Sequence, residues 1–377
     1  MDMNICIDSY MPVQVISGKN CFKEQFEILK KFGKSCLIVT GGTSAKKCGA
    51  LDDAVNALRK LGIAYDIFDG ITQNPYTADC HRAGEAARRI SADFILGIGG
   101  GSPLDASKSV AIYAANPSLS PADIYLRKYD NAPLPVVLIG TTAGTGSEVT
   151  GVAVLTDSNT DMKKSISGHD CYAAVSFCDY TYTLSVLYSV TVSTALDAFA
   201  HAAESYFSSM ANGLSDVYAE KAFEMLKTGL EYFYHNENAL PDEDMREELY
   251  IASLFAGLAL NITGTCFPHT MGYLLTEDFN IPHGRACAAF LPEFIETADV
   301  NMGEKAEKMF KKLSMDKKQL CTVLETLAGI DISMTAEQFR KYTGRWTDPV
   351  KNFSRTPGHF TAETAVAVLK KFVIRNA

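Results

Sequence analysis

The sequence predicts a chain in two parts: an α/β N-terminal domain built on a parallel sheet, then an all-α C-terminal domain. Three observations carry this. In the first half, short apolar runs alternate with helical stripes. Glycine-rich turns follow three of those runs. From Val192 onward, period-two alternation almost disappears and helical spacing takes over. At 377 residues the chain has room for two or three domains, and we divide it at 1–186 and 187–377.

The first half reads in order as follows. Residues 4–18 alternate loosely and read as a short hairpin. The segment 20–33 carries Phe22, Phe26, Ile28, Leu29 and Phe32 as a helical stripe closed by Gly33. SCLIVTGG (35–42) is a buried strand running into glycines. Helix is expected at 44–62, strand at 64–68, helix at 77–90 and strand at 93–98. A glycine turn and a helix follow, then a strand at 135–140. The stretches GVAVLTD and YAAVSFCD (172–179) read as a hairpin closing the domain, with Lys163 and Lys164 between them.

The three glycine-rich turns are GGTS (41–44), GGGS (99–102) and TTAGTGSE (141–148). In an open parallel sheet, ligands bind beyond the carboxyl ends of the strands. Glycine lets the backbone approach a phosphate, and a helix start presents unpaired amides to it. Three such loops at one sheet edge point to a nucleotide. The G-x-G-x-x-G fingerprint is absent, since in LGIGGGSP its third glycine would fall at Leu104.

In the second half, helices are expected at 192–208, 212–235, 242–261, 263–275, 286–297, 302–312, 316–328, 334–344 and 361–372. Asp197 and His201 sit one turn apart in an Ala-rich run, so their side chains share a face. Asp-x-x-x-His alone is commonly a capping or surface pair. The weight comes from His269 and His283, because only seven His exist and each of these two follows a Pro. One Asp and three His form an N,O donor set suited to Fe(II) or Zn(II). Gly284, next to His283, suggests a close backbone approach. Cys266 and Cys287 read as small apolar packing residues, and Arg285 as a helix cap or a solvent-facing group. The metal would face the nucleotide domain across a cleft.

Composition narrows the partners. The chain is 47% hydrophobic and 21% charged, ordinary for a globular protein. A net charge of −9 without a basic block argues against nucleic acid and anionic membrane. No run reaches the roughly 18 apolar residues of a membrane span. Ten scattered Cys without a C-x-x-C pair, and an opening that lacks a signal-peptide pattern, lead us to expect reduced thiols and a cytoplasmic location.

Through GGGSPLDASK, PVVLIGTTAGTGSE, TALDAFAHAAE and the H-x13-H that ends in PHG, the chain resembles the iron-containing (group III) alcohol dehydrogenase family over almost its whole length. The resemblance implies a fold similar to that of dehydroquinate synthase. It implies Asp197, His201, His269 and His283 as metal ligands. It also implies Gly99, Gly100, Gly101 and Ser102 as the pyrophosphate loop, followed by Asp105, and Thr141, Thr142, Thr145 and Ser147 as the loop flanking ribose and nicotinamide. Lys163 matches a cofactor-facing Lys, with Lys164 as the alternative register, and Asn74 matches a cofactor loop. A homodimer or larger homo-oligomer is implied as well.

Two departures matter. Many NAD-preferring members carry Asp directly after the strand that corresponds to LIVT (37–40), where this chain has Gly41, Gly42, Thr43, Ser44 and Lys46. Backbone and side-chain donors there suit a 2′-phosphate, so NADP(H) is expected over NAD(H). Tyr273 stands where many members carry a further His. A phenol titrates near about 10, which makes it a poorer proton shuttle, and Tyr273 reads as pocket-shaping. The resemblance thus implies a metal-dependent NAD(P)-linked oxidoreductase interconverting small alcohols and aldehydes, with the metal as Lewis acid and the nicotinamide carrying hydride. The donor set accepts Fe(II) or Zn(II), and only the resemblance favours iron. The alternatives are a dehydroquinate synthase-like lyase and a glycerol dehydrogenase-like metalloenzyme. The lyase would need several basic residues about the substrate, whereas the sequence near the ligands offers Phe199, Phe255, Leu258, Phe267, Met271 and Tyr273, although Arg285 sits beside His283.

Overall fold

The computed structural model describes residue 7 and residues 9–372. Contacts divide the chain into two compact units. One comprises Tyr10–Leu187 with Asp242–Tyr250, and the other Tyr188–Pro241 with the chain from Ile251 on. The sequence division at 186/187 does not anticipate the short segment 242–250. Its place follows from its bonds: Glu243 accepts from Lys19 at 2.6 Å and from Tyr180 at 3.2 Å, and Arg246 donates to the Val186 carbonyl at 2.9 Å.

The first unit holds, in chain order, β1 (Gln14–Ser17), α1 (Cys21–Gln25), β2 (Ser35–Thr40), α2 (Ser44–Lys47), α3 (Ala50–Leu61), β3 (Ala64–Phe68), α4 (Thr77–Arg89), β4 (Phe94–Gly99), α5 (Gly101–Ala115), β5 (Val136–Gly140), β6 (Val152–Thr156), β7 (Lys163–Ser167) and β8 (Val175–Cys178). Six strands form a parallel sheet in the order β1-β8-β5-β4-β2-β3. From β2 the chain moves outward to β3, then returns past β2 to β4 and continues to β5. The strand order therefore reverses between β2 and β4, the switch point at which open α/β sheets bind ligands.

The strands read as continuous apolar runs because both faces are covered. Leu37, Val39, Ile95 and Leu138 pack in one core with Ala83 and Ala87 of α4 and Val110 of α5. Cys36, Ile38, Leu96 and Ile139 pack in the other with Phe22 of α1 and Ala54 and Leu58 of α3. Fully burying each large aliphatic side chain contributes about 1.5–3 kcal/mol.

Several expectations need correction. Gln14–Ser17 is one strand paired in parallel with β8, not half of a hairpin; residues 4–6 and 8 of that expected hairpin lie outside the described residues. The helix expected at 20–33 is five residues of α-helix followed by a 3-10 turn through Lys31. The helix expected at 44–62 breaks at Gly49, whose φ of +85° ends α2. Val152–Thr156 pairs with Lys163–Ser167, while 175–178 enters the large sheet between β1 and β5. All four residues of β8 are buried, which an interior strand covered on both faces requires and a closing hairpin does not supply.

The second unit contains α6 (Tyr188–Phe207), α7 (Gly213–His235), α8 (Glu243–Thr263, whose first turns belong with the sheet unit), α9 (Phe267–Phe279), α10 (His283–Ala288), α11 (Leu291–Asn301), α12 (Gly303–Leu313), α13 (Lys317–Ala328), α14 (Ala336–Thr343), α15 (Lys351–Arg355) and α16 (Ala362–Leu369). Its regular elements are all helical among the described residues, as expected, although the helix expected at 286–297 is split between the end of α10 and α11, and α15 was not anticipated. Helix starts follow their caps: Asn212 with Ser215, Asp316 with Gln319 and Thr335 with Gln338 form capping boxes. No single helix among the described residues is long and apolar enough to cross a membrane. The nine described Cys are all unpaired.

One buried cation ties the sheet unit together beside its glycine loops. Lys108 of α5 is fully buried, and its Nζ donates to the Thr150 carbonyl at 3.0 Å and the Val152 carbonyl at 2.7 Å. It also lies 3.7 Å from Asp105 Oδ1. Burial pushes the Lys108 amine down, and the Asp105 carboxylate opposes that push. Removing one partner of such a pair leaves the other charge buried alone. Lys108→Ala is therefore expected to lose about 3–5 kcal/mol of stability, measured by denaturant unfolding. A loss below about 1 kcal/mol, the range of exposed pairs, would contradict this account.

Candidate functional site

The candidate metal centre lies in the helical unit. On α6, Asp197, His201 and Glu204 stand at positions i, i+4 and i+7, one face of a helix that is otherwise Ala-rich and buried. Asp197 is 3% exposed, His201 5% and Glu204 0%. α9 starts with Pro268 in its first turn, which needs no backbone donor there, and so presents His269 from that turn. Asn280, in the left-handed conformation at φ 54°, ends α9, and Pro282 leads into α10, whose first residue is His283. Gly284 allows α10 to abut α6: a Cβ there would stand 1.7 Å from the Ser193 carbonyl oxygen and 2.9 Å from Asp197 Cβ. The sequence suggested close approach at Gly284, and the neighbour it meets is a helix backbone.

These elements converge on one oxygen. Asp197 Oδ1 lies 3.5 Å from His269 Nε2, 3.8 Å from His283 Nε2 and 3.9 Å from His201 Nε2. Donors on one tetrahedral ion, bonded at about 2.0–2.1 Å, sit about 3.3–3.4 Å apart, so the spacing fits a shared cation after small contraction. Asp197 Oδ1 and His269 Nε2 are both buried without a hydrogen-bond partner, a costly arrangement that a cation would relieve. Burial pushes the Asp197 carboxyl up, but the charges of His201, His283 and His269 outweigh it and hold the group below the usual carboxylate range. Burial pushes His269 down, while Cys287 and the carboxylates Glu204 and Asp197 pull it well above its ordinary value.

Two residues of this centre were missed as functional. Glu204 Oε1 is 2.5 Å from His269 Nδ1, and its Oε2 accepts the Cys266 amide at 2.7 Å. The Nδ1–H donated to Glu204 fixes the tautomer and leaves Nε2 to aim at Asp197. A signal was present: a Glu seven residues after Asp197 in an apolar helix has no solvent to face. Cys287, read as packing, lies one turn after His283 on α10. Its Sγ belongs to a cluster with Asp197, His269 and His283 whose donor atoms all lie within 4.8 Å of one another. Burial pushes its thiol up to about 11. Cys266 is buried, and its Sγ lies 3.5 Å from the Glu204 carbonyl, which agrees with packing. Arg285 reaches the C-terminal end of α13, its guanidinium beside Gly329, a favourable place for a cation. Tyr273 stacks on His283 at 5.4 Å and 13°.

The sheet unit gathers the expected nucleotide residues. The loops 41–44, 99–102 and 141–148 follow β2, β4 and β5, three adjacent strands. A Cβ on Gly100 would stand 2.9 Å from Thr142 Oγ1, and one on Gly101 would stand 2.6 Å from Thr145 Cγ2. These glycines therefore let two loops meet as well as leaving room for a ligand. The Thr141 amide donates to the Gly99 carbonyl at 2.9 Å. The Asn74 amide donates to Ser102 Oγ at 3.3 Å, and the Asn74 carbonyl accepts from Thr156 Oγ1 at 3.1 Å. Lys163 pairs across the ladder with Thr156, so the two side chains share a face. Lys164, on the other face, is held by Asp157 at 2.6 Å. Asp105 uses both oxygens internally, accepting from Ser147 Oγ at 2.6 Å and the Val154 amide at 2.8 Å, and this gives it a structural task. Gly42 is left-handed at φ +54° with open space around it, and Thr43, Ser44 and Lys46 beside it are exposed.

Residues 12–180 match the family described as iron-containing alcohol dehydrogenase, and 191–336 match the C-terminal part of the Fe-containing alcohol dehydrogenase family. An NADPH-dependent butanol dehydrogenase of Clostridium saccharobutylicum is 30% identical over 314 residues, 81% of this chain and 77% of that protein. A 1,3-propanediol dehydrogenase of Klebsiella pneumoniae is 35% identical over 265 residues, 69% of this chain and 67% of that one. An iron-containing alcohol dehydrogenase from Thermotoga maritima superposes with a TM-score of 0.89 at 33% identity, covering 97% of this chain and 99% of its own. These matches set aside the lyase alternative: the chain belongs to the iron-containing alcohol dehydrogenase family of oxidoreductases.

Proposed function

We propose that this chain reduces small aldehydes, and oxidises the corresponding alcohols, with NADP(H) and one divalent ion held by Asp197, His201, His269 and His283. The observation that carries the reading is the convergence of three imidazole nitrogens within 3.9 Å of one buried, unpaired carboxylate oxygen. When bound, the cation supplies Lewis-acid polarisation of a carbonyl oxygen, and the nicotinamide supplies hydride. The protein's own part is positioning. Asp197 supplies the negative charge that retains a dication, Glu204 holds the His269 ring, and Tyr273 stacks on His283 and shapes the pocket wall. Fe(II) is favoured by the family and Zn(II) fits the same donors. Gly99, Gly100, Gly101, Ser102, Thr141, Thr142, Thr145, Asn74 and Lys163 hold the cofactor in this reading. Support comes from their gathering at the carboxyl edge of adjacent strands, where the free amides at the start of α5, at Gly101, would suit a diphosphate.

NADP(H) is favoured over NAD(H) because residues 41–46 carry no carboxylate and offer Thr43, Ser44 and Lys46. The scattered unpaired thiols support a cytoplasmic location. A homodimer or larger homo-oligomer rests on the family alone.

Replacing His269 by Ala is expected to abolish both bound metal and turnover, read by elemental analysis and by an aldehyde panel. A variant that keeps metal and activity contradicts the ligand set. Glu204→Gln, which keeps shape but removes the charge behind His269, should weaken metal affinity by about 10–100-fold in chelator competition. Unchanged affinity would reduce Glu204 to a packing role. Catalytic efficiency with NADPH should exceed that with NADH, and Lys46→Ala should narrow the gap. Equal or better use of NADH by the unmodified enzyme refutes the preference.

A further inference from the structure

The metal centre holds one donor more than the proposed ligand set uses. His283 and Cys287 are four residues apart on α10, so both side chains lie on one face. Cys287 is fully buried and its Sγ is 3.8 Å from both ring nitrogens of His283. The thiol also faces the buried His269 ring, so the sulfur touches two of the three imidazoles. Asp197, His269, His283 and Cys287 offer four donor atoms within 4.8 Å of one another. Bonds of about 2.0–2.3 Å to one ion would draw them together by roughly 1 Å. His201 lies outside that group but within 3.9 Å of Asp197 Oδ1.

Two overlapping donor sets therefore share Asp197, His269 and His283. His201 completes one with a third imidazole, and Cys287 completes the other with sulfur. We propose that Cys287 is a metal ligand in this chain, forming with Asp197, His269 and His283 a thiolate-containing site for thiophilic divalent ions, zinc above all. This rests on the reading of these helices as a metal centre and adds to it a sulfur donor and a metal preference. The step balances simply: the sulfur–metal bond forms, the S–H bond breaks and one proton leaves to solvent. Fe(II) is served by the imidazole-rich set, whereas a soft thiolate draws zinc, cobalt or cadmium toward α10.

Cobalt(II) loaded into the metal-free protein is the test, because sulfur bound to cobalt gives a charge-transfer band in the near ultraviolet that nitrogen and oxygen ligands do not. The wild type should show this band with one bound cobalt. Cys287→Ser should lose the band yet retain cobalt through Asp197 and the three imidazoles. Should the buried hydroxyl prevent folding, Cys287→Ala carries the same test. His201→Ala should keep both cobalt and the band, whereas His269→Ala should lose both. Cobalt bound by the wild type without the band overturns the proposal and leaves the metal centre standing, as does a band that persists in Cys287→Ser. Cobalt retained by His201→Ala without the band also overturns it. A wild type that binds no cobalt overturns the proposal and the metal centre together.

Discussion

Two carboxylates buried on one face of an apolar helix are the constraint on which the helical unit depends. Asp197 and Glu204 are 3% and 0% exposed, two turns apart on α6. A charge in such surroundings costs several kcal/mol unless something positive or strongly donating meets it. Glu204 meets the His269 ring and the Cys266 amide. Asp197 Oδ1 meets only the edges of three imidazoles at 3.5–3.9 Å, too long for hydrogen bonds and well suited to an ion among them. The small residues around this face follow from the same requirement. Gly284 lets α10 approach closely enough to put His283 opposite α6.

The sheet unit solves a different problem with similar means. Its loops must stay open to a ligand while their backbones remain fixed. Glycines at 100 and 101 let the β4 loop lie against Thr142 and Thr145 of the β5 loop. Behind them a buried Lys108 gathers the Thr150 and Val152 carbonyls, and Asp105 gathers Ser147 and Val154. Residues that resemble ligand contacts in a motif can thus be the braces of a loop. Asp105 is the clear case, since both of its oxygens are spent inside the protein.

Much of the site was legible because short spacings encode helical faces. Asp197 and His201 could be paired from a four-residue interval, and the same rule extended by three residues reaches Glu204. Cys287 was equally close to His283 in sequence, but a thiol reads as a small apolar group until its neighbours are known. The strand pairings were less legible. The runs at 152–156, 163–167 and 175–178 are each compatible with a hairpin, and nothing local says which will be covered on both faces. Lys163 shows the cost: it reads as a loop residue in isolation and becomes a ladder partner of Thr156 only when β7 is assigned.

The sequence by itself determined the α/β-then-helical order and the three glycine turns, and it singled out Asp197, His201, His269 and His283 as a candidate donor set. Those features rest on periodicity and backbone freedom, which act over a few residues. Tertiary structure alone decided that β8 lies between β1 and β5, that residues 242–250 join the sheet unit, and that Glu204 and Cys287 stand among the imidazoles. These outcomes depend on which surfaces are buried against one another across tens to hundreds of residues. Burial is the quantity that turns an ordinary carboxylate or thiol into part of a site.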